Sequence, residues 1–262
     1  MKSRNILFKT LFIIFLAAGL AVGAMAQESD LDKTKRFVEA REQLEQAVVD
    51  QNIEQIAMLR SQFKSFVDEP DLRAQAHYFV GLAGYRLRTL PSDLDDDQKE
   101  NYLDEAINHL KKAIGVKSNF AEAHALLSGC YGMKASGGMF AGMKYGPKSN
   151  TQMDKALELA PDNPRVLILD GTGLFFTPSM FGGDTEKAIT QFQESAKQFG
   201  EFTPEDATMP HWGRVEVYAW LGQAYEEDEQ YDEAKKAYEK ALELDPDYGW
   251  VKNYLLPKLV EK

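Results

Sequence analysis

The chain has 262 residues and a formal net charge of −11, with 41 acidic and 30 basic side chains. So acidic a chain argues against nucleic acid and anionic membrane as partners. Cys130 is the one cysteine, so no internal disulfide can form and the core must hold the fold unaided.

Residues 1–26 read as a secretory signal peptide. Lys2, Arg4 and Lys9 precede an apolar run from about Leu11 to Val22, and Ala24-Met25-Ala26 forms a cleavage site. The run is short for a spanning helix, which needs about 20 residues. Cleavage leaves Gln27 first and removes three positive charges and no negative ones, so −11 becomes −14. The stretch has no cysteine for a lipid anchor. The expectation is a bacterial protein exported to the periplasm or medium, with no stable membrane insertion after cleavage.

Residues 27–70 read as a helical pair. Phe37, Ala40, Leu44, Ala47 and Val48 recur at helical spacing, as do Ile53, Ile56, Leu59, Phe63 and Phe66. In 74–118, His77, Val80, Gly81 and Gly84 precede a polar stretch, RTLPSDLDDDQKE, then Ala106, Leu110 and Ala113. In 121–161, His124, Leu127, Ser128 and Tyr131 precede the glycine-rich SGGMFAGMKYGPKS, then Met153, Ala156 and Pro161. In 164–200, Leu167, Gly171 and Leu174 precede TPSMFGGDTEKA, then Ala188, Phe192 and Ser195. A segment from about Gly200 to Trp212 separates this unit from the next, 215–248. Trp250, Tyr254, Leu255 and Leu259 predict a closing helix in 249–262. No strand or hairpin pattern competes.

The unit 215–248 decides the fold class. Tyr218, Leu221, Gly222 and Tyr225 have the spacing W-x2-L-G-x2-Y, with Tyr in the Trp place. Ala234, Tyr238 and Pro246 follow as A-x3-F…P. This resembles a tetratricopeptide repeat (TPR), a helix–turn–helix unit of about 34 residues. The three preceding units resemble weaker copies. The implied fold is an all-α solenoid with an N-terminal helix pair and a C-terminal cap. By alignment on the last unit, the earlier ones carry roughly 13, 9 and 5 extra residues between their helices. These insertions fall on one edge of such a solenoid, and 200–212 is expected at the opposite edge.

TPR arrays bind partners in a concave groove lined by the first helix of each unit. The register implies Gln75, Tyr78, Tyr85, Glu122, Met133, Arg165, Thr172, Phe176, Glu216, Gln223 and Glu226 as its wall. The insertions add Met139, Phe140, Met143, Tyr145, Met180 and Phe181. These either plug the turns onto their own helices or form an apolar clasp for a partner.

Other chemistry is disfavoured. Gly137-x4-Gly142 begins like a P-loop, but Met143 stands where lysine is needed and no strand precedes it. Cys130, Met133, Met139 and Met143 are soft ligands but read as packing residues. His77, His109, His124 and His211 have no metal spacing, and His77 and His124 hold equivalent places that imply contacts between helices. No catalytic residue, cofactor or metal is expected. The expected function is an exported scaffold that binds a protein or peptide. The alternative is a TPR subunit assisting a TRAP-type solute transporter, which would need an enclosed apolar pocket for a small ligand.

Overall fold

A computed structural model describes residues 30–260, so the expected signal peptide lies outside it. Contacts divide the chain between residues 39 and 40. Of the first unit, residues 30–39 are described and all are helical. The second opens with helical residues 40–49 (α1) and, among the described residues, contains helices and no strand.

The second unit is a succession of antiparallel pairs. After α2 (Ile53–Lys64) come α3 (Arg73–Thr89) with α4 (Asp96–Val116) and α5 (Ala121–Ala135) with α6 (Met139–Leu159). Then come α7 (Pro164–Phe176) with α8 (Thr185–Gln198) and α9 (Glu216–Glu227) with α10 (Tyr231–Leu244). Each pair packs internally, and α3, α5, α7 and α9 also touch in succession. That row of first helices makes one continuous face.

A small residue on the first helix faces a large one on the second in three pairs. A Cβ added at Gly81 would lie 2.6 Å from Leu110, at Gly171 2.6 Å from Phe192, and at Gly222 2.2 Å from Tyr238. Only hydrogen fits there, because real Cβ contacts do not come that close. In the α5–α6 pair Ser128 holds the equivalent place. Its Oγ donates to the Ser149 carbonyl at 2.8 Å, and Ser149 Oγ donates back to the Ser128 carbonyl at 2.9 Å. His77 and His124 each reach the second helix of their own pair, at His109 Nδ1 (2.9 Å) and Gln152 Oε1 (2.8 Å).

The first two insertions go largely into longer second helices, the first also leaving a short connection at 90–95. α4 and α6 have 21 residues each, α8 and α10 only 14. Asp95 starts α4 with a capping box, its carboxylate accepting from Gln98 N–H at 2.7 Å. The glycine-rich stretch read as a turn is helical from Met139, with Pro147 inside the helix. Gly138, at φ +121°, makes the bend that starts it. The third insertion stays outside the paired helices, with a 3₁₀ turn at Ser179–Phe181 ahead of the Asp184 cap.

The closing segment starts with a π-turn, Val251–Leu255, and continues as α11, Leu256–Val260. Val251, Leu255 and Leu259 are buried, while Tyr254 is exposed. Pro257 lies inside a helical run that is unbroken from residue 249, just after the π-turn, a local change of the ladder often found where a helix is perturbed. Among the described residues no helix is long and apolar enough to cross a membrane.

Candidate partner-binding surfaces

The first candidate is the face made by α3, α5, α7 and α9. The chain's own connection between α8 and α9, residues 199–215, lies on it. This corrects the expectation that 200–212 sits at the opposite edge. Gln75 Nε2 donates to Thr208 Oγ1 at 3.2 Å, and the Trp212 indole N–H donates to the Tyr78 hydroxyl at 2.9 Å. The His211 backbone N–H donates to Glu45 on α1 at 3.1 Å. Thr208, Met209 and Trp212 are buried.

Charged groups fasten the same seam. Arg86 donates both Nη atoms to Glu216, at 2.8 and 2.6 Å, and its guanidinium lies 5.1 Å from the Trp212 ring centre. Burial works against the Arg86 charge, but Glu216 outweighs it and holds the group protonated more firmly than usual. Arg165 lies over Phe199 and Phe202, at 5.5 and 5.4 Å. Lys117 donates to Glu205 at 2.8 Å.

Of the expected wall residues, Gln75, Tyr78, Arg165 and Glu216 thus take part in this seam, and most of the others are drawn into the packing. Tyr78, Glu122, Arg165 and Thr172 are buried, and Glu122 accepts from Asn163 Nδ2 at 2.8 Å. Tyr85, Met133, Glu216, Gln223 and Glu226 are partly buried. Glu226 accepts from the Tyr238 hydroxyl. Phe176 stays exposed and begins a run of edge-to-face rings with Trp220 (5.7 Å) and Trp250 (4.8 Å from Trp220). A cavity of about 10 Å³ remains beneath, lined by Leu82, Tyr85, Leu126, Ile168, Trp212 and Trp220 among others. It has room for about one water. An open concave groove is therefore not what these residues form.

The second candidate is the edge where first helices turn into second helices. Met139, Phe140, Met143, Met180 and Phe181 are between 72% and 86% exposed there. They do not plug the turns. Met139 to Met143 stand on the first turns of α6, and Met180 and Phe181 on the 3₁₀ turn after α7. α5 and α7 pack as successive first helices, which sets both tips on one edge. Tyr145 differs: it is half-buried, its ring 6.1 Å from that of Tyr131.

Comparison with known proteins bears on the fold. The tetratricopeptide repeat family matches residues 215–248. The chain carries a TPR. No curated protein matches it. A solved TPR protein from Thermus thermophilus, TTC0263, superposes with TM-score 0.57 at 15% identity, covering 85% of this chain and 97% of that one. The HusA haemophore from Porphyromonas gingivalis superposes with TM-score 0.55 at 22% identity, covering 71% and 92%. At these identities the likeness is one of fold, an all-helical TPR-like solenoid.

Within that TPR framework, 199–215 is the part the repeat register missed. It has no helical period, so nothing in its pattern says where it docks. Its one signal was composition: Phe199, Phe202, Met209 and Trp212 are many apolar residues for a solvated connection. Cys130 is fully buried, which pushes its thiol pKa up, so it stands apart from the exposed Met139 and Met143.

Proposed function

We propose that this protein is an exported bacterial TPR adaptor that binds a protein or peptide partner at its Met/Phe edge. The observation that carries the reading is the contrast between two surfaces. Much of the concave face is covered by the chain's own residues 199–215. Five large apolar side chains instead stand in solvent on the turn edge. Adaptable methionines and flat rings favour such a surface as a receiving site, since exposed apolar clusters are costly to leave wet. The ligand-carrier alternative calls for an enclosed apolar pocket, and a 10 Å³ space does not favour it.

The test is the double variant Phe140→Ala with Phe181→Ala. Both side chains are exposed, so melting should stay within the range of about 0.5 kcal/mol typical of surface changes. Recovery of partner from the cell envelope should fall by an amount typical of a hot spot, about 2 kcal/mol or more. Protein from that fraction should begin at Gln27. Unchanged recovery would overturn the edge as the site, and an intact Met1 would overturn export.

A further inference from the structure

The Met/Phe edge differs from the rest of the chain in charge. From residue 123 to residue 153 there is no Asp or Glu, in a chain that has 41 of them. Residues 171–183 carry no charged side chain at all. The edge is therefore an apolar surface whose nearby carboxylates, Glu100, Asp104 and Asp184, are each taken by a lysine. The lysines of the 123–153 stretch are Lys134, Lys144 and Lys148. Lys134 is taken by Glu100 and Asp104 of α4. Lys144 and Lys148 are exposed and lean over tyrosine rings, Lys144 at 4.8 Å from Tyr145 and Lys148 at 5.5 Å. Phe140, Lys144 and Lys148 recur every four residues, so they share one face of the start of α6.

Resting on the edge as the partner surface, we propose that its partner presents an acidic amphipathic helix. The apolar side of that helix covers Met139, Phe140, Met143, Met180 and Phe181. Its carboxylates meet Lys144 and Lys148. The lysines are held beside rigid rings, so less freedom is lost when they pair than for free surface lysines. The net charge of the chain, −11, disfavours an acidic helix at a random place on the surface, so the two lysines also help to set where the partner lands.

The experiment uses the full chain and two labelled peptides of about 18 residues, long enough to hold a helix. Both carry leucine on one face; one has glutamate on the other face and its counterpart lysine. Fluorescence anisotropy reads each affinity. The glutamate peptide should bind at least about tenfold more tightly than the lysine peptide. Lys144→Glu with Lys148→Glu should reverse that preference with melting unchanged, and Phe140→Ala with Phe181→Ala should abolish binding of both. Equal binding of the two peptides, or binding of neither, overturns the proposal. So does co-sedimentation with phosphatidylcholine/phosphatidylglycerol vesicles in place of peptide binding, which would make a lipid surface the counterpart. If Phe140→Ala with Phe181→Ala still removes an envelope partner while the peptides show no preference, the edge stands as the site and only its acidic selectivity falls.

Discussion

His77 and His109 place their Nδ1 atoms 2.9 Å apart across the α3–α4 seam. One must hold the proton and the other accept it, so a doubly protonated pair would set two N–H groups head to head. Burial pushes both imidazoles below the ordinary 6.5, His109 to about 4. Cations add to this: Lys112 and Arg73 near His77, with Asp68 opposing, and Lys112, Lys64 and Arg60 near His109. The folded pKa values lie below the unfolded ones, so the unfolded chain binds more protons as the solution is acidified. The pair's stability is full above about pH 6.5 and is lost as pH falls towards about 4. Melting temperature should drop across that window, and His109→Gln should flatten the drop. Equal slopes in parent and variant would remove the pair from the account. Gly222 makes a second prediction at this scale. Its missing Cβ would sit 2.2 Å from the Tyr238 ring, so Gly222→Ala should cost about 1–3 kcal/mol of stability, measured by denaturant unfolding.

Among the elements, the 199–215 connection asks for a direct measurement. Trp212 is buried and gives its indole proton to Tyr78. Trp212→Ala should cost about 3–5 kcal/mol and leave the Tyr78 hydroxyl buried without its donor. A change below about 1 kcal/mol in thermal unfolding would mean the connection only rests on the helices. The helix pairs themselves were legible in the sequence because two signals coincide. Apolar residues at helical spacing mark each helix, and Gly81, Gly171 and Gly222 mark where a second helix must come close. The start of α6 was not legible, since Gly137, Gly138, Gly142 and Pro147 are all turn-forming residues. Tertiary packing outweighs that preference: Tyr145 stacks on Tyr131, and the α6 backbone runs helical through Pro147. The exposure of Phe140 and Phe181 was one of two readings the residues allowed, because a glycine-flanked phenylalanine packs inward or outward with equal local cost. Where 199–215 docks depends on partners far off in sequence, such as Lys117, Gln75 and Tyr78, and no local pattern carries that information.

For the molecule as a whole, that connection changes how the repeats depend on one another. A simple solenoid is stabilised by nearest neighbours alone and can fray from either end. Here Glu216, in the last repeat, pairs with Arg86 in the first clear one, and Trp212 with Tyr78. Denaturant unfolding should therefore follow one transition when watched by tryptophan fluorescence and by helical circular dichroism. Trp212→Ala should separate the two curves by freeing the early repeats from the late one. Two transitions in the parent would show the repeats acting independently.

The same pairing has a consequence in time. Arg86 leaves the ribosome 130 residues before Glu216, which at about 5–20 residues per second is a delay of roughly 6–26 s. Through that interval α3 and α5 can form with Tyr78 and Arg86 uncovered, waiting for a strip of chain that has not yet been made. The face that the finished protein hides is thus open only during biogenesis. A factor that guards it would be needed once per molecule and never again.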